Sequence, residues 1–240
     1  MKIVVGTEQE ISKLIAEDFI EVVNKKPNAV LGLATGTSPL GVYANLAKAN
    51  KEGRVTFKGV TTFNLDEYVG LEGTHNQSYR YFMKTNLFDH IDVDQAKTNV
   101  LLGVGDYKKF MNEYDGMIEK AGGVDIQILG IGSDGHIAFN EPGTSFDSLT
   151  HETELTEQTI KDNSRLFNDI SEVPTRAVTM GLKTIMKARK IVLLATGKNK
   201  AQAIYGLIKG PITEDMPCSI LQKHPDVTVY CDEEAYSLCK

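Results

Sequence analysis

The sequence predicts a three-layer α/β fold, a mostly parallel sheet with helices on both faces. Two observations carry this: short β-branched runs alternate with helical patterns from end to end, and most of those runs are apolar at every position. Size agrees, since 240 residues can bury a large single core without a metal or disulfide staple. We therefore expect one domain spanning residues 1–240.

In chain order, strands are expected at Lys2–Val5, Ala29–Ala34, Val60–Leu65, Val124–Ile131, Ala177–Met180, Ile191–Thr196 and Val227–Tyr230. The first crossover is a helix in which Ile11, Leu14, Ile15, Phe19, Val22 and Val23 recur at helical spacing, closed by Lys25, Lys26 and Pro27. Further helices are expected over Pro39–Asn50, Gln77–Phe88, Tyr107–Lys120 and Lys198–Ile208. Right-handed crossovers between parallel strands then give a Rossmann-like sheet. One stretch breaks the rhythm. From Glu141 to about Thr175 the chain carries Pro142, Gly143, several Ser and Thr and few apolar residues, too long for an ordinary loop. It reads either as a segment over a site, containing a short helix, or as a solvated surface insertion.

Composition narrows the partners. With 41% hydrophobic and 24% charged residues the chain is neither disordered nor fibrous. Its 26 Lys and Arg against 32 Asp and Glu leave a net charge of −6, without long single-sign blocks. That argues against nucleic acid and against a membrane surface, so a small molecule is the expected partner. Cys218, Cys231 and Cys239 form no CxxC pair and suggest a reducing compartment. The amino-terminal MKIVVGTEQE has too short an apolar run for a signal peptide or a membrane span, so the cytoplasm is expected.

Three loops carry candidate chemistry. In LGLATGTSPLGVY, residues 31–43, a buried strand runs into Thr35, Gly36, Thr37 and Ser38. Pro39 then opens a helix for which Ser38 is the natural N-cap. Free N–H groups at such a start, with the neighbouring hydroxyls, suit a phosphate, although the loop lacks the Lys of a Walker A motif. A plain capped turn is the structural alternative. In TTFNLDEYVGL, residues 61–71, Asp66 and Glu67 stand at the carboxyl end of a strand, the edge where open α/β sheets place ligands. Desolvation there could make one carboxylate a general base; an unremarkable polar loop is the other reading.

The third loop, GIGSDGHIAFNEPG at residues 130–143, begins with a literal GxGxxG. Pro142 and Gly143 follow His136 too soon for the long helix that a dinucleotide site needs, so a dehydrogenase is set aside. The loop does supply Asp134, His136 and Glu141, which suit a proton relay with a carboxylate fixing the imidazole tautomer. A Zn or Fe site is the rival reading, but His75, His90, His151 and His224 fall in no ligand pattern and are expected to be surface or structural. Arg165 in NSRLF and Lys200 in ATGKNKAQA complete the candidates, as cations able to reach an anion over the sheet edge; side chains that simply face solvent, the usual case for a lone Arg or Lys, are the other reading.

Taken together, LGLATGTSPLGVY, TTFNLDEYVGL, GIGSDGHIAFNEPG, NSRLF, GKNKAQA and CSILQKHP, in that order, resemble the glucosamine-6-phosphate deaminase family, sugar-phosphate isomerases related to 6-phosphogluconolactonase. The resemblance covers nearly the whole chain. It implies an isomerising deaminase, a hydrolase that converts glucosamine 6-phosphate to fructose 6-phosphate and ammonia in amino-sugar catabolism. It also implies that Asp66 moves a proton between C2 and C1, and that His136, with Glu141 and Asp134, opens the sugar ring. Phosphate binding is implied for Gly36, Thr37, Ser38, Arg165 and Lys200, with an active-site lid over about 145–175. The chain departs from the TGGTP usual in the family at Thr35–Pro39, with one glycine fewer and a hydroxyl kept. No cofactor and no metal are expected, and both monomer and homo-oligomer stay open. The alternatives are a 6-phosphogluconolactonase-like hydrolase, disfavoured by FNEPG and by the base a lactonase does not need, and a sugar-phosphate sensor, disfavoured because no DNA-binding appendage is present.

Overall fold

The computed structural model describes residues 1–240, the side chain of Leu166 apart. Its strands are β1 (Lys2–Val5), β2 (Val30–Leu33), β3 (Thr61–Asn64), β4 (Asp66–Tyr68), β5 (Thr98–Asn99), β6 (Ile126–Leu129), β7 (His151–Glu154), β8 (Arg176–Thr179), β9 (Lys190–Ala195) and β10 (Val227–Cys231). The α-helices are α1 (Glu8–Lys25), α2 (Leu40–Lys51), α3 (Tyr79–Asn86), α4 (Tyr107–Lys120), α5 (Glu157–Asn163), α6 (Leu182–Ile185) and α7 (Ala201–Lys209).

Seven strands form one sheet in the order β1-β10-β9-β6-β2-β3-β5, and every pairing in it is parallel. The residues of β2, β6 and β10 are buried at every position, which requires cover on both faces and explains why these strands read as unbroken apolar runs. Helix α1 shows how local signals and packing agree. Thr7 and Glu10 close a capping box at its start, and Ile11, Ile15, Phe19 and Val23 bury one face against α2 and β10, while Leu14 of the same run faces solvent.

The irregular stretch holds more structure than its composition suggests. It contains β7 and α5, and β7 joins β4 and β8 in a second, antiparallel sheet of order β4-β8-β7. The sequence gives no sign of β7, because HETE lacks a buried face: its residues are half-buried or exposed. The run at 177–180 was expected as a strand and is one, but it belongs to this small sheet. Beside that sheet lies a separate apolar cluster of Tyr68, Phe139, Leu155 and Ala177, with Tyr79, Ile160 and Phe167 packed on it. Of the remaining histidines, His224 is buried with Nε2 against the Ala188 carbonyl and Nδ1 accepting from the Asp226 N–H, a satisfied structural residue as expected. The three cysteines are free and buried, and no helix among the described residues is long and apolar enough to cross a membrane.

The strands β9, β6, β2 and β3 are neighbours, so the segments that follow them, at 196–200, 130–139, 34–38 and 65–66, emerge side by side at one edge of the sheet. Backbone topology alone thus gathers loops that are far apart in sequence.

Candidate active site

Those four loops, together with α3, α5 and the turn after α5, line a cavity of about 530 Å³. Its lining includes Gly36, Thr37, Ser38, Arg165 and Lys200, and also Asp66 and His136. The loop after β2 is a tight turn: the Leu40 N–H donates to the Thr37 carbonyl, and Gly36 has φ +94°, a left-handed conformation that favours glycine. One expectation fails here. Ser38 does not cap α2, whose N-cap is Pro39 with no side-chain hydrogen bond. The helix begins one residue later than Pro39 suggests, so Ser38 stands one residue before the cap position and is left lining the cavity. Lys200, half-buried at the start of α7, has its ammonium pKa lowered: burial disfavours the charge and Arg165 adds to this, against the pull of Asp162 and Asp134. A cation destabilised in this way gains from a bound dianion.

Asp66 is 7% exposed at the start of β4, directly beyond β3. Burial, and then the charge of Glu67, push its carboxyl up to about 8. Glu67 itself, 1% exposed, is turned away from the cavity and accepts from the Tyr68, Tyr79 and Arg80 N–H groups and from the Ser78 hydroxyl, at 2.8–3.1 Å. Its net pKa is also raised, because burial outweighs the pull of those donors. The two acids that look equivalent in NLDEY therefore occupy different environments.

The imidazole of His136 is held from behind. Its Nδ1 stands 2.8 Å from Asp134 Oδ1 and 3.5 Å from Glu141 Oε2, and neither approach has the alignment of a good hydrogen bond. These close approaches orient the ring, and a hydrogen bond from the His136 backbone N–H to Asp134 Oδ1 at 3.1 Å fixes the loop. Burial would raise the Asp134 carboxyl, but the proximity and charge of His136 outweigh it and hold it at about 2. Asp134 and Glu141 do not line the cavity; both carboxylates stand behind the ring. Gly132 is required beneath it, since a Cβ there would lie 2.3 Å from the imidazole. Asp134, His136 and Glu141 each offer a ligand atom within 4.8 Å of the others, a donor set that could hold a divalent cation.

The second Glu141 oxygen, Oε1, accepts from the Thr159 hydroxyl at 2.7 Å and from the Thr156 N–H at 3.4 Å. Helix α5 is thereby keyed to the carboxylate that orients His136. Sequence reasoning missed several lining residues: Tyr79, Ala138, Phe139, Thr159, Asp162, Asn163 and Asn199. Tyr79 and Phe139 stack with ring centroids 6.0 Å apart and form an apolar wall beside Asp66. Ala138 has φ +53°, rare for a residue with a side chain, and nothing in the letter sequence signals it. Thr159, Asp162 and Asn163 share one face of α5, a pattern that could have been read had the helix been placed.

Comparison with known proteins fits this geometry. The model of the family described as glucosamine-6-phosphate isomerases/6-phosphogluconolactonase matches residues 6–230. A glucosamine-6-phosphate deaminase of Thermoanaerobacter pseudethanolicus is 50% identical over 240 residues, covering 99% of this chain and 95% of the relative. One of Clostridium beijerinckii is 50% identical over 239 residues, covering 99% of each. The solved structure of a monomeric glucosamine-6-phosphate deaminase superposes with a TM-score of 0.97 at 43% identity, over 99% of this chain and 100% of the other. The 6-phosphogluconolactonase of Trypanosoma cruzi, at 20% identity and a TM-score of 0.78 over 98% of this chain and 96% of its own, shares the fold. With a family model that spans nearly all of its length and relatives at half identity, the chain belongs to the glucosamine-6-phosphate isomerase/6-phosphogluconolactonase family.

Proposed function

We propose that this chain is a glucosamine-6-phosphate deaminase that isomerises its substrate and releases ammonia by hydrolysis, giving fructose 6-phosphate. One observation carries the reading: a buried carboxylate and a carboxylate-backed imidazole share one cavity with an anion-binding loop and two cations.

The phosphate is held by the N–H groups and hydroxyls of Gly36, Thr37 and Ser38 and by Arg165 and Lys200. Anchoring that end fixes C1 and C2 near Asp66 and His136, and such positioning can lower the barrier by several kcal/mol. His136 takes the proton from the anomeric hydroxyl and returns one to the ring oxygen as the C1–O5 bond breaks, with Asp134 and Glu141 stabilising the imidazolium that forms between the two transfers. Asp66 then removes the C2 proton. A carboxylate displaced to about 8 is a far stronger base than one in water, and the substrate's own ammonium favours its ionised form on binding. The enolamine left behind takes the proton back at C1, giving the imine of fructose 6-phosphate. Water adds to that carbon, and the C–N bond breaks with loss of ammonia.

The segment at about 145–175 serves as the lid of a single-domain enzyme acting in the cytoplasm. Its support is that Thr159, Asp162, Asn163 and Arg165 all line the cavity, so displacing the segment would open the site. The test is an ammonia assay with glucosamine 6-phosphate, with 6-phosphogluconolactone as the competing substrate and with and without chelator. Ammonia release that survives chelation is expected; lactone hydrolysis without ammonia would replace this reading with the lactonase one.

A further inference from the structure

Buried acids next to a catalytic group are seldom idle, and Glu67 is buried beside Asp66 without entering the proton transfers above. Its oxygens are fully used. Oε1 accepts from the Tyr68 and Tyr79 N–H groups, each at 2.9 Å, while Oε2 accepts from the Ser78 hydroxyl at 2.8 Å and the Arg80 N–H at 3.1 Å. The Tyr79 and Arg80 N–H groups belong to the first turn of α3 and have no intrahelical partner, so Glu67 supplies from β4 the acceptors that the helix start lacks. Backbone N–H groups can only donate. A proton on Glu67 would face one of them, which makes Glu67 the ionised member of the Asp66–Glu67 pair and Asp66 the one that holds a proton.

Two consequences meet in the cavity. The clasp ties β4, which carries Asp66, to the first turn of α3, which carries Tyr79, and both side chains line the cavity. The charge of Glu67 also acts on Asp66. Tyr43, Tyr68, Tyr79 and Tyr114 all feel Asp66 too, but their phenols stay neutral because burial pushes each pKa upward. Glu67 is therefore the anion that makes Asp66 more basic.

We propose that Glu67 is a positioning residue of the active site, whose carboxylate clasps the start of α3 by three hydrogen bonds, with a fourth from the Tyr68 N–H within β4, and so fixes Asp66 and Tyr79 in the cavity while tuning the base. The inference rests on the deaminase reading for its kinetics but not for its titration. The Asp66 carboxyl is followed by carbon NMR in Asp-labelled protein, wild type and Glu67→Gln, and kcat and KM for ammonia release are measured against pH. Glu67→Gln is expected to move the Asp66 titration, and with it the acid limb of the rate profile, down by about one pH unit. It should also lower kcat about tenfold, with KM and inhibition by inorganic phosphate little changed. An Asp66 titration and acid limb in the wild-type place, in a folded variant, would overturn the proposal. Should Glu67→Gln not fold, Ser78→Ala, which removes one donor and keeps the charge, must lower kcat at unchanged KM; an unchanged kcat would overturn it equally. A wild type that releases no ammonia would count against the deaminase reading alone, since the titration still reads the clasp.

Discussion

At the scale of single residues, Asp66 sets function against stability. Its carboxyl keeps a proton in the fold up to about pH 8, whereas in the unfolded chain it ionises near pH 4. Between those values the native state binds the extra proton, so the contribution of Asp66 to stability falls as pH rises from about 4 to 8. Asp66→Asn imitates the neutral form and abolishes that loss. Thermal unfolding should show the variant gaining on wild type steadily from pH 5 to pH 8; a constant difference would mean that Asp66 titrates at an ordinary pH. His136 is tested by substrate form. If the imidazole opens the ring as proposed, His136→Gln should slow turnover of the cyclic sugar phosphate by about 10²–10⁴-fold and that of an open-chain analogue much less. Equal losses on the two would remove His136 from ring opening.

The residues of the site were legible to different depths. Asp66, His136, Arg165 and Lys200 lie in loops that follow strands or in the irregular segment, where a charged side chain stands out, and the structure brings all four to one cavity. Glu67 was visible only as a second acid, since its role depends on α3 arriving from twelve residues away to present N–H groups. Ser38 was misjudged because a cap depends on a one-residue difference in helix start, which periodicity does not resolve.

At the scale of elements, α5 couples the irregular segment to the chemistry. The Thr159 hydroxyl donates to Glu141 Oε1, and Glu141 Oε2 faces His136. Thr159→Val keeps the shape and removes the donor, leaving a buried carboxylate oxygen with less compensation, at a cost of about 1–3 kcal/mol. With that donor gone, α5 is held less tightly to Glu141, and the imidazole is less well supported. Turnover of cyclic substrate should fall several-fold with little change in the protection of the main-sheet amides in hydrogen exchange. Unaltered kinetics would show that α5 does not communicate with the relay. Strands β2, β6, β9 and β10 were readable because burial on both faces writes an unbroken apolar run. Strand β7 was not, since a short strand at the edge of a small sheet leaves no such record.

At the scale of the whole molecule, parallel strand order does the assembling. Four neighbouring strands deliver their following loops to one rim, so the Thr35–Ser38 turn, the buried Asp66 carboxyl and the supported His136 imidazole come together without any of them being close in sequence. Alternating strands and helices predicted that architecture correctly, because the crossover rule leaves few topologies for such a pattern. What the alternation could not supply was the second sheet, β4-β8-β7, which lies outside the repeating unit and carries Asp66 at its edge.

Hydrogen exchange at the sugar's C2 tests this arrangement most directly. With glucosamine 6-phosphate deuterated at C2, wild type should release ammonia with a primary isotope effect and lose deuterium to solvent. Asp66→Asn should do neither, while still being protected by inorganic phosphate against thermal unfolding. Washout of C2 deuterium by Asp66→Asn at the wild-type rate would contradict the account.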